Sequence, residues 1–224
     1  MVDKLEKIRT IVKQELSCSA HDMDHVNRVY RTCLYLAEGE DYVDLEVLKT
    51  AALLHDVARV REDEDDTGSI DHALLGSEMA QRILRDLDYD EEIVEQVRHC
   101  ILSHRFRGSI EPATTEAKIL FDADKLDVLG AVGLARSFMI AGQWGERIYS
   151  DEPLEQYVKQ NLVGGRPDGR IKDISKHAPN IEFETKFRYV LGRLYTEKAR
   201  DVACERIEFM EQFFDALRKE LNVI

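Results

Sequence analysis

The sequence predicts an all-α protein, and three observations support this fold class. Apolar residues recur at steps of three and four over most of the chain, which is the period of a helix rather than of a strand. Only 4 prolines occur in 224 residues, so few positions would interrupt a helix. Hydrophobic residues make up 44% of the chain, and this length can bury a sizeable core without disulfides.

The apolar period predicts a helix in each of several segments along the chain. They span residues 2–16, 23–38, 44–60, 70–87, 91–104, 114–129, 131–141, 153–162 and 182–220. The last segment carries one apolar stripe from Phe183 to Leu194 and another from Val202 to Leu221. Because the two stripes differ in direction, we expect two helices or one bent helix there.

Three stretches break the helical pattern. Residues 61–71 contain a run of five acids and a glycine, and we interpret them as a solvated loop. Residues 105–113 form a turn with Gly and Pro, and residues 142–180 hold five of the 12 glycines and three of the 4 prolines. We predict a single domain over 1–224, with a core at 18–140, a loop-rich insertion or lid at 142–180, and C-terminal helices at 181–224 that pack on the core.

The charge balance limits the partners that this chain can take. Asp and Glu number 44 against 31 Lys and Arg, which gives a formal net charge of −13. Such a surface repels phosphate backbones and anionic lipids, so we expect no long nucleic acid and no membrane as a partner. No run of about 18 apolar residues offers a membrane span. A homodimer is compatible with this composition.

The cysteines indicate a reducing compartment. Their positions, Cys18, Cys33, Cys100 and Cys204, are dispersed and form no CxxC pair. This spacing is not that of a disulfide framework, and the first residues alternate charged with apolar side chains instead of forming a signal peptide. We therefore expect a cytoplasmic protein.

Histidines are concentrated in one part of the chain. Six of the 7 lie between positions 21 and 104, and His55 is followed by Asp56 at the end of an apolar helix. Burying an imidazole and a carboxylate there is costly unless a partner such as a cation binds both. His25 lies upstream, and a later apolar helix carries Asp122, Asp124 and Asp127. Separate helices that each offer N and O donors are how helical folds build interior metal sites.

Four blocks of the sequence, taken together, resemble the HD superfamily of metal-dependent phosphohydrolases. They read HDxDHVxRV at 21–29, AALLHDVAR at 51–59, HAxxGSxxAxxIL at 72–84 and EAKILFDADKLDxxGAxGxAR at 116–136. The blocks look like those of small, stand-alone members, and the likeness is strong over residues 18–140 and weaker through 220. It implies an HD-domain helical bundle with additional C-terminal helices.

The resemblance implies a ligand set for a divalent metal ion. Carried over position by position, the ligands are His25, His55, Asp56 and Asp124, and the ion could be Mn, Co, Ni, Fe or Mg. The helical period alone does not choose among Asp122, Asp124 and Asp127, so the choice of Asp124 depends on the family. Asp127 is a further partner of the ligands or of the substrate.

His72 and His104 have two interpretations. In some HD families two such histidines hold a second metal, and otherwise they would face the substrate phosphates. We favour one ion over two, with Asp56, His72, His104 and Lys125 as the catalytic residues. His99 and His177 are interpreted as structural, and His21 either lines the mouth of the pocket or lies at the surface.

A phosphate ligand also requires local positive charge in this acidic protein. The candidates for substrate binding are Arg28, Arg59, Arg105 with Arg107, and Arg136, and Arg166 and Arg170 could close over a bound nucleotide.

The sequence therefore predicts a metal-dependent phosphohydrolase that acts on a phosphoester or pyrophosphate bond of a small, nucleotide-like substrate by a metal-activated water. Two alternatives remain open: a dinuclear-iron oxygenase of the same fold, and a non-catalytic, metal-stabilised regulatory domain.

Overall fold

The structure is a computed structural model that describes residues 4–16, 23–105, 110–167 and 169–222. These residues are largely helical and form no named strand, which confirms the all-α prediction. The helices are α1 (Lys4–Glu15), α2 (Met23–Ala37), α3 (Leu45–Leu54), α4 (Arg59–Asp63), α5 (His72–Asp86), α6 (Glu91–Ser103), α7 (Thr115–Leu126), α8 (Gly130–Trp144), α9 (Leu154–Asn161), α10 (Pro179–Thr185) and α11 (Glu197–Leu221). None of the described helices is both long and apolar enough to span a bilayer.

The chain divides into two compact units. The first comprises Met1–Lys125 and Leu194–Ala199, and the second comprises Leu126–Arg193 and Arg200–Ile224. The single domain expected from the sequence stays a prediction.

The first unit is built around α3, which is buried along most of its length. Helices α1, α2 and α6 pack against α3, and α5 packs along α6. Asp44 starts α3 because its Oδ1 accepts hydrogen bonds from the backbone N–H groups of Glu46 at 2.9 Å and Val47 at 3.1 Å. Asp71 starts α5 in the same way. These caps fix the ends of the helices that position the site.

The predicted helix over 44–60 is wrong in one respect, because it is interrupted at residues 55–58. Helix α3 ends at Leu54, and the ring Nδ1 of His55 lies 2.9 Å from the carbonyl oxygen of Ala52. A side-chain N–H thus binds one of the carbonyls that the end of a helix leaves without a partner. The chain becomes helical again as α4, so residues 61–63 are helical and not part of a loop.

A buried carboxylate on α7 binds the short segment that returns to the first unit. Asp122 is fully buried and accepts hydrogen bonds from the backbone N–H groups of Tyr195 at 2.9 Å and Thr196 at 2.7 Å. The hydroxyl of Thr196 donates to the same carboxylate at 2.8 Å. Asp122 therefore has a structural partner at the start of α11.

The second unit has a core of its own. Tyr157, Leu162, Ala178 and Ile181 form a buried apolar cluster. Within the predicted lid at 142–180 lie α9 and the start of α10, so this stretch is not a plain loop, and its action as a lid stays a prediction. The last predicted segment, 182–220, consists of separate helices and not of one bent helix, because two short 3₁₀ turns lie between α10 and α11.

Candidate metal centre

Four side chains from three parts of the first unit converge on one point. His25 comes from α2, His55 and Asp56 come from the turn after α3, and Asp124 comes from α7. The Nε2 atom of His25 lies 3.2 Å from Nε2 of His55, 3.5 Å from Oδ2 of Asp56 and 3.5 Å from Oδ1 of Asp124. We call these residues the first ligand group. They are the four that the family resemblance assigns to the metal.

The spacing and proton positions of the first ligand group fit a divalent cation. Two donors bound to one ion at about 2.1 Å, at an angle near 100°, lie about 3.2 Å apart. The Nδ1–H group of His55 donates to the carbonyl of Ala52, so its Nε2 carries a lone pair directed at the group. Lone pairs and carboxylate oxygens that face each other repel unless a cation lies between them. Mixed imidazole and carboxylate donors suit first-row divalent metals.

A second ligand group shares Asp56. Its Oδ1 lies 3.7 Å from Nε2 of His72 and 3.6 Å from Nε2 of His104, and the two ring nitrogens are 3.3 Å apart. His72 begins α5, and His104 follows the end of α6. The Nδ1 atom of His104 is 2.6 Å from the carbonyl oxygen of Ile101, which repeats the arrangement of His55 and Ala52. Each carboxylate oxygen of Asp56 therefore faces a different pair of histidines.

Burial and charge shift the pKa values of the ligands in directions that favour metal binding. Burial lowers the pKa of His55 to about 4, although the nearby carboxylate of Asp56 opposes this shift. Burial raises the pKa of Asp56, but the imidazoles of His55, His104 and His25 outweigh it and hold that pKa well below its usual range. His55 is thus neutral and Asp56 ionised at pH 7, as metal ligands must be.

Lys125 is the cation next to the first ligand group. Its Nζ lies 2.5 Å from Oδ2 of Asp124 and 5.4 Å from the ring centre of Phe121, and its side chain is only 12% exposed. Burial raises the pKa of Asp124, but the charge of Lys125 and the nearby imidazoles outweigh it and lower that pKa. This largely buried ammonium adds positive charge beside the first ligand group.

The three aspartates of the DADKLD block have different surroundings. Asp124 lies in the first ligand group, and Asp122 binds Tyr195 and Thr196. Asp127 lies in the second unit and pairs with Arg136 at 2.5 Å. The structure thus distinguishes side chains that the helical period could not.

Two of the predicted substrate-binding arginines surround a residue that the sequence analysis missed. Glu62 accepts hydrogen bonds from Arg59 at 2.8 Å, and its other oxygen is 3.1 Å from Arg105. Arg59 also pairs with Asp63 at 3.0 Å, and Arg105 pairs with Asp71 at 2.5 Å. Arg28 lies on α2, partly exposed, one turn after His25. No motif singled out Glu62, because it lies in the acidic run at 61–71 that we interpreted as solvated.

The other histidines differ in their surroundings. The Nε2 atom of His99 accepts a hydrogen bond from the backbone of Ala113 at 3.0 Å. His177 is buried in the second unit, 2.7 Å from the hydroxyl of Tyr157 and 3.3 Å from Glu182. These contacts agree with structural roles for both. Arg166 and Arg170 are exposed, whereas His21 and Arg107 lie outside the described residues.

The first unit is helical, and its two ligand groups share Asp56 of the His55-Asp56 pair. This arrangement is typical of proteins with an HD domain. The model of the HD domain family matches residues 23–129, which contain the first and second ligand groups. The chain belongs to the HD superfamily.

Individual relatives extend the likeness over nearly the whole chain. The protein YpgQ of Bacillus subtilis is 34% identical over 222 residues, which cover 96% of this chain and 93% of YpgQ. A crystal structure of YpgQ in complex with ADP superposes with a TM-score of 0.70 at 30% identity and covers 97% of this chain and 94% of that one. An HD-superfamily hydrolase from Bacillus thuringiensis has a TM-score of 0.70 at 29% identity, with 99% and 98% of the two chains covered.

Proposed function

We propose that this chain is a metal-dependent phosphohydrolase that cleaves a phosphoester or pyrophosphate bond of a nucleotide-like substrate. The observation that carries the proposal is the first ligand group, whose buried N and O donors have the spacing of ligands around one ion. The related hydrolase from Bacillus thuringiensis and the binding of ADP by the related YpgQ support the reaction and the substrate class.

The residues of the first ligand group would hold a divalent ion, which activates water and screens the charge of a phosphate. Hydrolysis of a phosphate bond needs mainly positioning and charge stabilisation from the protein. Lys125, anchored on Asp124 at 2.5 Å, supplies a fixed positive charge beside the ligands. We propose that Arg28, Arg59 and Arg105 of the first unit complete the binding of the substrate.

His55 and His104 would hold the ion and would not transfer protons. The Nδ1–H groups of His55 and His104 donate to backbone carbonyls at 2.9 Å and 2.6 Å, and their Nε2 atoms face the ligand groups. Neither nitrogen is then free to give a proton to the leaving oxygen. We propose that Lys125 or a water beside it protonates the leaving group.

The second ligand group bears on the number of ions. One ion is the expectation from the sequence. The lone pairs of His72 and His104, 3.3 Å apart and both facing Asp56, favour a second cation over direct contact of neutral rings with phosphate. Elemental analysis of the purified protein decides between one and two equivalents of metal.

The same second group favours one other candidate function, a dinuclear-iron oxygenase. Four histidines around a shared carboxylate are donors that iron accepts. This candidate predicts two equivalents of iron, a visible or paramagnetic signal and consumption of oxygen. A colourless protein that hydrolyses nucleotides with Mn²⁺ and consumes no oxygen would exclude it.

A nucleotide panel tests the proposed function. Nucleoside mono-, di- and triphosphates are incubated with the protein and Mn²⁺, Co²⁺ or Mg²⁺, and released phosphate and pyrophosphate are measured. We expect hydrolysis by the unaltered protein and by His99→Gln, and none by His55→Ala or Asp56→Ala, because His99 lies outside both ligand groups. Activity retained in both variants, or no hydrolysis of any nucleotide, would contradict the proposal.

A further inference from the structure

Glu62 contacts three charged or polar side chains from different parts of the first unit with one carboxylate. Its Oε2 lies 2.8 Å from Nδ1 of His72 and 2.8 Å from Nη1 of Arg59, and its Oε1 lies 3.1 Å from Nη2 of Arg105. The backbone N–H of His72 is 3.4 Å from Oε1. Only 16% of the Glu62 side chain is exposed, so this carboxylate has left water to make these contacts.

The contact with Glu62 determines which nitrogen of His72 carries the proton. An ionised carboxylate only accepts hydrogen bonds, so the Nδ1 atom of His72, at 2.8 Å, must be the donor. The guanidinium groups of Arg59 and Arg105 bind the same carboxylate and balance its negative charge. With the proton on Nδ1, the Nε2 atom of His72 carries the lone pair of the ring.

The neighbouring ligands show why His72 needs an outside partner. His55 and His104 follow helix ends, so each donates Nδ1–H to a carbonyl three residues earlier in the chain. His72 is instead the first residue of α5, and no helical carbonyl precedes it at that spacing. A carboxylate from α4 takes the place of that carbonyl. A partner of this kind orients a ligand ring and raises its basicity.

We propose that Glu62 is a positioning residue of the metal centre, which fixes the proton of His72 on Nδ1 and so directs its Nε2 at the cation held with Asp56 and His104. The same carboxylate keeps Arg59 and Arg105 at the edge of the second ligand group. This inference rests on the proposed function only in taking the centre to bind a divalent cation, and its test needs no nucleotide.

The test compares Glu62→Gln and Glu62→Ala, with Glu64→Gln as the matched control. Glu64 is an exposed glutamate two residues further along the chain. Long-range ¹H–¹⁵N spectra of the histidine rings in metal-free protein report the tautomer of His72. We expect Nδ1–H in the unaltered protein, in Glu64→Gln and in Glu62→Gln, whose amide oxygen still accepts, and a mixture of tautomers in Glu62→Ala.

Titration with Mn²⁺ alone gives the second readout. Loss of such a partner typically weakens metal binding by about 10- to 100-fold. We expect Glu62→Ala to weaken the binding of the same Mn²⁺ ion whose binding is weakened in His72→Ala. Glu62→Gln should weaken it less. A proton on Nε2 of His72 in the unaltered protein, or unchanged tautomer and Mn²⁺ affinity in Glu62→Ala, would overturn the proposal. Neither readout involves turnover. If the protein gave both expected results but hydrolysed no nucleotide, the proposed function would be rejected and the role of Glu62 would stand.

Discussion

The buried imidazole of His55 makes the stability of the metal-free protein depend on pH. Burial lowers the pKa of His55 from 6.5 to about 4 in the folded chain. Between these two values the unfolded chain binds more protons than the folded chain. The contribution of neutral His55 is therefore complete above about pH 6.5 and is lost as the pH falls towards 4.

The size of this effect follows from the two pKa values. A shift of about 2.5 units corresponds to about 3.4 kcal/mol at full protonation, and about 2 kcal/mol of it is lost between pH 7.5 and pH 5. The assay is urea unfolding of chelator-treated protein at several pH values, with His55→Gln for comparison. The difference in unfolding free energy between the two proteins reports the titration of His55 together with its coupling to Asp56 and His25.

A matched histidine variant, His99→Gln, removes an imidazole that lies outside both ligand groups. If the free-energy difference between the unaltered protein and His55→Gln were constant from pH 7.5 to pH 5, the argument from burial would be refuted.

Two further predictions concern other buried groups. Asp122→Ala leaves three donors of Tyr195 and Thr196 without a partner, at about 1–3 kcal/mol each, so we expect a loss of about 3 kcal/mol or more in urea unfolding. Asp122→Asn should lose less, and equal losses would contradict this account. Burial raises the pKa of Cys100 to about 12 and that of Cys33 well above its usual value, whereas Cys204 is exposed. Iodoacetamide labelling with peptide mapping should therefore modify Cys204 in the folded protein, and Cys33 and Cys100 only on unfolding; early labelling of Cys33 would refute the prediction.

The helical period predicted the fold class because the fold class depends on which residues are buried. The spacing of apolar residues along the sequence shows this directly. It did not predict the break after Leu54, since His55 continues the chain with αR backbone angles and ends the helix through its own ring. The hydrogen bond between the His55 ring and the Ala52 carbonyl does not alter the spacing of apolar residues. The continuous helix over 44–60 was therefore a natural error.

Among the ligand residues, Asp124 could be chosen from the sequence only by family likeness. Asp122 and Asp124 are two residues apart, and what separates their roles is contact with Thr196 in one case and with His25 in the other. Those partners are distant in sequence, so no local pattern contains them. Glu62 was missed for the same reason, because an acidic run is usually solvated and its contact with His72 depends on how α4 and α5 pack.

The first unit is discontinuous in the sequence, and this limits how its centre could be transplanted into another scaffold. The family match ends at residue 129, but the partners of Asp122 are at Tyr195 and Thr196. A protein cut down to the matched residues would keep the ligands and yet contain a buried carboxylate without its donors. It would also lose α1, whose Ile8 and Val12 are fully buried. A minimal protein that carries this metal centre therefore includes α1 and the segment Leu194–Ala199 in addition to the matched residues. A linker would join that segment to α7 in place of the second unit.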